Sequence, residues 1–232
     1  MSDLHITVSG TKRLLTAGKR HLHNIVVTAQ GEGNHYDAFW DMFQENGNRT
    51  DYRYAFAYTK WNDDVFNPKY PLKFVGDATY AFVGTAFVWA DKVLQIDMSE
   101  ATSCYWTFRN NKFTKMGKCD FSSATIIDGI FSLCSNLESI EEIVSTENLS
   151  WTDAFRYCNK LKDISFGGVV GKSISFSDCS LLTNASVQSV IDHLKDLTGA
   201  TAQTLTFHAD VGGKLTDAQK AAITAKNWTL VY

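Results

Sequence analysis

The strongest constraint on the fold is a recurring Phe-x-x-Cys-x-x-Leu pattern. Three clear copies are present: Phe131-Cys134-Leu137, Phe155-Cys158-Leu161 and Phe176-Cys179-Leu182. Looser copies begin at Phe56, Phe82 and Phe108, where Thr59, Thr85 and Asn111 stand in place of the cysteine. Successive phenylalanines are 26, 26, 23, 24 and 21 residues apart. A repeat at a nearly fixed period indicates a chain that is built from stacked units.

Short runs that alternate apolar and polar residues lie between the copies, as expected of strands with one buried face. These runs cover residues 93–98, 118–121, 140–143 and 163–166. One strand in every 20–29 residues or so, stacked in parallel, is leucine-rich-repeat geometry, in which no unit buries its apolar face alone. We therefore predict an α/β fold: a short, irregular leucine-rich-repeat solenoid with a parallel sheet.

The cysteine position of each copy is predicted to lie at a bend. A small Cys, Asn or Thr there can satisfy backbone groups that point into the interior. The chain has five cysteines and no CxxC pair, which argues against a disulfide framework and a zinc site and favours buried free thiols. The predicted repeat core consists of Phe82, Phe108, Phe131, Cys134, Leu137, Phe155, Cys158, Leu161, Phe176, Cys179 and Leu182.

Segment 153–161, DAFRYCNKL, resembles the BspA-type leucine-rich repeats. Repeats of this family are common in bacterial surface proteins and in proteins of phages and prophages of Gram-positive gut bacteria. Residues 197–207, 214–219 and 226–229 resemble the C-terminal cap of phage-encoded repeat proteins, and residues 10–27 are similar to a motif of phage structural proteins. The resemblance implies a phage structural or receptor-binding protein.

The two ends of the chain differ from the repeats. We predict an N-terminal β attachment segment over residues 1–35, the solenoid over 36–182 and an α/β C-terminal cap over 183–232. In the N-terminal segment, strands are expected at Leu4–Val8, Leu14–Leu15 and Ile25–Val27, and a short aromatic helix at Tyr36–Phe43 follows. In the cap, helical spacing continues to about Gly199, 204–208 alternates like a strand, and Thr216 with Gln219 forms a capping box. A final strand over 228–232 and the strand at 204–208 are expected to extend the parallel repeat sheet.

No recognised catalytic or cofactor motif is present. The nucleophile elbow, the zinc-binding H-E-x-x-H and the phosphate-binding loop are all absent, so no catalytic residue, metal or cofactor is predicted. Two alternatives stay open: His21 and His23 as a metal pair rather than a solvated strand edge, and an unidentified carboxylate pair of a glycosidase. The net charge of -3 gives no reason to expect nucleic acid. Because the start lacks a signal-peptide pattern and no apolar run spans a bilayer, neither export nor membrane insertion is expected.

We expect a non-enzymatic virion protein of a phage tail, fibre or surface appendage that binds a host surface glycan or protein. Its N-terminal segment would bind other virion proteins, and the chain is expected to form a homo-oligomer. A bacterial cell-surface adhesin and a carbohydrate-active enzyme of a phage tail are the alternatives. The outward strand positions would line the binding face, as a mainly acidic strip: Gln95, Asp97, Lys118, Asp120, Glu142, Asp163 and Ser165.

Overall fold

The fold is α/β, and every strand pairing among the described residues is parallel. The computed structural model describes residues 4–8, 25–29, 50–58, 60–61, 72–87 and 93–232. The strands are β1 (Leu4–Val8), β2 (Ile25–Ala29), β3 (Lys60–Trp61), β4 (Leu72–Asp77), β5 (Ala86–Phe87), β6 (Val93–Leu94), β7 (Ile96–Ser103), β8 (Lys115–Asp120), β9 (Ser139–Ser145), β10 (Asp163–Gly168), β11 (Ile174–Phe176), β12 (Gln203–Phe207) and β13 (Trp228–Val231). The helices are α1 (Asn184–His193), α2 (Ala209–Gly212) and α3 (Asp217–Ala225).

The strands form four sheets. Their orders are β1-β2-β3-β5, β10-β9-β8-β6, β11-β12-β13 and β4-β7. The four runs that the sequence predicts as strands lie in β6 with β7, in β8, in β9 and in β10. A parallel sheet whose neighbours are successive elements of the chain requires a return segment between each pair of strands.

The return segments contain five six-residue turns, which we call the Phe turns. They cover residues 53–58, 79–84, 105–110, 128–133 and 152–157, and each has phenylalanine in fourth place. In every Phe turn, the residues two before and two after the phenylalanine have φ between 53° and 63°. Alternate N–H groups of one turn donate to carbonyls of the next: Phe56 to Ala81, Phe82 to Thr107, Phe108 to Ile130 and Phe131 to Ala154, at 2.7–3.0 Å.

The phenylalanine rings stack on one another through the interior. Ring centroids are 4.9, 5.8, 5.7, 6.1, 4.8 and 5.9 Å apart along Phe56, Phe82, Phe108, Phe131, Phe155, Phe176 and Phe207, with interplanar angles of 7–19°. The last ring, Phe207 in β12, lies outside the sequence pattern. All eleven residues of the predicted repeat core are buried.

At the five bends that the structure describes, the small residue donates a hydrogen bond to the phenylalanine carbonyl of the preceding turn. Thr85 Oγ1 donates to Phe56 at 2.7 Å, and Asn111 Nδ2 donates to Phe82 at 2.6 Å. The thiols of Cys134 and Cys158 make the same contact at 3.0 and 3.1 Å, and that of Cys179 makes it at 3.9 Å. The bend residue therefore satisfies buried backbone acceptors, as the sequence predicts.

Helix α1 covers the free edge of β10. The Ser186 hydroxyl accepts from the N–H of Ile164 and donates to the carbonyl of Lys162, each at 2.9 Å. The Ser189 hydroxyl accepts from the N–H of Phe166 at 2.9 Å. Two serines three residues apart lie on one side of a helix, so they replace the missing strand and close the sheet.

The C-terminal elements differ from the prediction in two respects. Helix α1 ends at His193 rather than near Gly199, because Leu194 leaves helical geometry and Leu197 is buried from a loop. The strands β12 and β13 extend a second sheet with β11, not the sheet of β8 to β10, whose edge α1 already occupies. The capping box of Thr216 and Gln219 at the start of α3 is confirmed.

The predicted strands at Leu4–Val8 and Ile25–Val27 lie in β1 and β2, which pair in parallel from Leu4 with Ile25 to Val8 with Ala29. The predicted strand at Leu14–Leu15 and the predicted helix at Tyr36–Phe43 lie outside the described residues.

Replacing Ser186 with alanine is expected to destabilise the fold by about 1–3 kcal/mol, because the Ile164 N–H and the Lys162 carbonyl lose a buried partner. Urea unfolding of the two proteins measures the difference. The matched control is Ser177→Ala, since Ser177 is exposed and bonds only to nearby Ser175. Equal stability of the Ser186 and Ser177 variants would show that α1 does not close the sheet through its serines.

The five thiols are all buried, and burial raises the pKa of Cys134 and Cys179 to about 12. A thiol of the unfolded chain loses its proton near pH 8.5. Alkali therefore favours unfolding, and the stability present below about pH 8.5 is lost progressively toward pH 12.

We expect the native protein at pH 8 to resist a thiol-specific reagent until urea unfolds it. The free energy of unfolding should fall between pH 8 and pH 10. The fall should be less steep in Cys134→Thr, because threonine has no titrating thiol and already occupies the same bend position at Thr85. Rapid labelling of the native protein would contradict the buried placement.

Candidate binding surfaces

The seven residues predicted to line a binding face lie on the sheet of β8 to β10 and on the neighbouring β7. We call this surface the strand face. Gln95 lies between β6 and β7, Asp97 lies in β7, and the other five lie in β8, β9 and β10. Side chains of Asp97, Asp120 and Glu142 are half-buried, and those of Gln95, Lys118, Asp163 and Ser165 are exposed.

One ion pair and several hydrogen bonds engage charged side chains of the strand face. Lys118 Nζ lies 2.8 Å from Glu142 Oε2, across the β8–β9 pair. Asp97 Oδ1 accepts from the N–H and hydroxyl of Ser99, and Asp163 Oδ1 accepts from the Thr183 hydroxyl at 3.2 Å. The acidic character that the sequence suggests is therefore reduced by local partners.

The alternation of buried and outward side chains is interrupted in β9, so the strand face contains a residue that the sequence pattern does not predict. In β9, Ile140 and Ile143 are buried while Glu141 is exposed and Glu142 is half-buried, so two successive residues face outward. The register between β9 and β10 shifts at the same place, between Ile164 and Phe166. A rule of strict alternation misses Glu141 for this reason.

A second surface, absent from the sequence prediction, lies on the Phe turns. It consists of Tyr54, Tyr58, Tyr80, Tyr105, Trp106 and Arg109, which we call the aromatic patch. Tyr54, Tyr80 and Trp106 share one place in three successive turns, two residues before the phenylalanine. The same offset from the repeated phenylalanine is the sequence signal by which these residues can be found.

Four of the five rings of the aromatic patch contact one another. Tyr54 stacks on Tyr80 with centroids 4.7 Å apart, and Tyr105 stacks on Trp106 at 5.2 Å. Tyr80 lies edge-on to both members of the second stack, at 5.5 and 5.4 Å. Burial is the largest cause that raises the pKa of the Tyr80 hydroxyl, and the neighbouring hydroxyl of Tyr105 adds to it.

Arg109 completes the second stack. Its guanidinium carbon lies 4.3 Å from the centre of the Trp106 ring, a cation–π contact. On the side toward the next turn, the indole of Trp106 lies against Gly129, whose φ is 63° and at which a Cβ would overlap the indole. In the same way, the ring of Tyr58 lies against Gly84 of the following turn.

Other features of the described residues give weaker candidates. Two clefts of about 80 and 230 Å³ lie between α1 and the chain around α2 and α3, and Asn184 lines both. The Gln219 amide that faces the larger cleft already bonds to Asn184 and Gln188. Within residues 93–232 and the shorter described segments, no group of three or more His, Cys, Asp and Glu side chains is arranged to hold a metal ion. His21 and His23 lie outside the described residues.

Among the helices that the structure describes, none combines the length and apolar content needed to span a bilayer. Comparisons with protein-family models, with curated proteins and with solved structures give no match for this chain.

Replacing Gly129 with alanine is expected to destabilise the protein more than the same change at Gly199. Both glycines have positive φ, 63° and 78°, so both variants lose about 1 kcal/mol from the left-handed backbone. A Cβ at Gly199 meets nothing within 4 Å, whereas one at Gly129 meets the Trp106 ring and adds about 1–3 kcal/mol. Urea unfolding compares the two variants, and equal losses would contradict the placement of Trp106.

Proposed function

We propose that the chain is a short leucine-rich-repeat solenoid. The observation that carries this proposal is the continuous stack of phenylalanine rings, from Phe56 to Phe207, at nearly constant centroid spacing. The hydrogen bonds between successive Phe turns and the parallel strand pairs on the other side support it, since both repeat at the same period. A stack of this kind leaves extended rows of outward side chains, which repeat proteins use to bind partners.

We propose further that its role is binding rather than catalysis. The backbone that carries the outward side chains is hydrogen-bonded to the neighbouring repeats. These side chains are therefore held in fixed positions relative to one another. Rigid Tyr, Trp and Arg side chains are the groups that contribute most to binding at protein surfaces. A preorganised surface loses less entropy when it binds.

The resemblance to BspA-type repeats and to the caps of phage-encoded proteins places this binding module, in our proposal, on a phage particle. The ligand would be a glycan or a protein of the host cell surface. The N-terminal segment that contains β1 and β2 would bind other virion proteins and contribute to a homo-oligomer. Flanking tail and lysis genes would support a virion protein, and cell-wall and export genes would favour a bacterial adhesin instead.

The binding proposal is tested with the fluorescently labelled full chain and washed cells of Gram-positive gut bacteria. We expect saturable binding to some strains, lost after periodate treatment if the ligand is a glycan and after protease treatment if it is a protein. The heat-unfolded chain is the control for adhesion through exposed apolar surface.

Absence of saturable binding to every strain would overturn the binding proposal. Release of reducing sugar from the cell walls, abolished by one carboxylate-to-amide substitution, would establish the carbohydrate-active enzyme in its place.

A further inference from the structure

We propose that the aromatic patch binds an acidic polysaccharide, with the Arg109 guanidinium paired to a sugar carboxylate and the rings of Tyr58 and Tyr105 against sugar faces. This inference rests on the proposed binding function and narrows it to one surface and one ligand class. The strand face is excluded from the site because the one cation among its seven residues, Lys118, is already paired with Glu142.

Arg109 is the residue that selects an anion. Its side chain forms no ion pair with any Asp or Glu of the described residues, unlike Arg53, which is paired with Asp51 at 2.7 Å, and Arg156, which lies 3.5 Å from Asp153. The contact with Trp106 uses the π face of the indole, and no N–H donor of the Arg109 side chain bonds to another of the described residues. A planar fork of free donors matches the two oxygens of a carboxylate.

Tyr105 is half-buried, so part of its ring is open to a ligand. Tyr105 and Arg109 both contact the ring of Trp106. Tyr80 is at almost the same distance from the rings of Tyr105 and Trp106, 5.5 and 5.4 Å, and nearly perpendicular to both. Part of the Tyr105 ring therefore stays exposed next to these two neighbours.

Tyr58 provides a second aromatic surface, on the first of the Phe turns. The residue is 53% exposed although its ring lies against Gly84 of the next turn. Contact with a glycine backbone fixes one side of the ring and leaves the other toward solvent. Sugar rings carry an apolar face of C–H groups, which aromatic rings bury without a polar cost.

A polymer of sugars fits this site better than a single sugar. The aromatic residues recur on successive turns, and those turns are joined by backbone hydrogen bonds of 2.7–3.1 Å. Segments bonded in this way lie about 4.8 Å apart, a step comparable to the length of one sugar unit. A polymer can therefore place one carboxylate at Arg109 while its neighbouring sugar rings contact the tyrosines of the patch.

Asp128 is expected to have the opposite effect on binding to Arg109. It precedes Gly129, against which Trp106 lies, and its Oδ1 atom is buried without a hydrogen-bond partner. A carboxylate at the border of the patch repels an anionic ligand. Removing this charge with Asp128→Asn should strengthen the binding of an acidic polysaccharide and leave a neutral one unaffected.

The test uses the full chain with polygalacturonate, hyaluronate and alginate, each beside its carboxyl-reduced form, in isothermal titration at low and high salt. We expect binding to at least one acidic polymer, weakened by salt and lost when its carboxylates are reduced. Arg109→Gln should weaken binding about tenfold or more, and Arg109→Lys should restore it only in part, because the ammonium lacks the planar fork.

Tyr105→Leu and Tyr58→Leu should each weaken binding to the acidic polymer. Lys172→Gln, between β10 and β11, is the control that removes an exposed positive charge outside both candidate surfaces and should leave binding unchanged. Urea unfolding of every variant verifies that the fold is retained, and Arg109→Lys keeps the test decisive if Arg109→Gln is unstable.

The proposal is overturned if none of the three acidic polymers binds, if the reduced and acidic forms bind equally, or if Arg109→Gln binds like the unsubstituted chain. Binding of a phosphate-bearing wall teichoic acid alone would also overturn the carboxylate assignment. If Arg109→Gln still binds whole cells as the original chain does, this inference fails while the proposed binding function stands. A protease-sensitive cell ligand would identify a protein partner in place of the polysaccharide.

Discussion

The rest of the structure depends on how each phenylalanine of the Phe turns is held in the interior. The ring of Phe131 stacks between those of Phe108 and Phe155, and its carbonyl accepts the N–H of Cys134 and the thiol of Cys158. The ring thus contributes apolar burial while the backbone of the same residue loses no hydrogen bond on leaving water. Because one partner comes from the next repeat, each phenylalanine fixes the position of its neighbour, and the parallel strands take up the same spacing.

This coupling explains which features the sequence predicts well. Phenylalanine, cysteine and leucine are restricted by volume and polarity at positions such as Phe155, Cys158 and Leu161, so the repeat is visible in residue types. The left-handed residues of the Phe turns leave no such signature. Tyr, Trp, Asn, Leu and Asp all occupy them beside two glycines, because the bonds between turns fix the backbone whatever the side chain. The hydrogen bonds between turns offset the energetic cost of positive φ, so the sequence does not need glycine at these positions.

The candidate sites were harder to predict because they depend on contacts between repeats. An alternating pattern assigns Glu142 to the outer face but says nothing of its partner Lys118, 24 residues earlier along the chain, or of the bulge that brings Glu141 outward. The aromatic patch shows the same limitation. Its residues follow the repeat, yet the stack of Tyr105, Trp106 and Arg109 depends on side-chain directions that a single sequence does not contain. The buried side of α1 also depends on a contact between distant parts of the chain, because the serines of α1 bond to β10.

The same hydrogen bonds that build the core also determine what the surface can do. Trp106 N–H donates to the Asp128 carbonyl and Phe108 N–H to that of Ile130, so the backbone that carries the aromatic patch is bonded to the following turn at alternate residues. A ring placed on such backbone, and packed against a glycine of the next turn, has few alternative positions to lose when a ligand arrives. Folding has therefore already fixed most of the side-chain positions that binding would otherwise have to fix. In our proposal, a surface of partly exposed aromatic rings can therefore serve recognition. The neighbouring groups hold these rings in fixed positions, together with the Arg109 guanidinium, which pairs with no acid of the described residues.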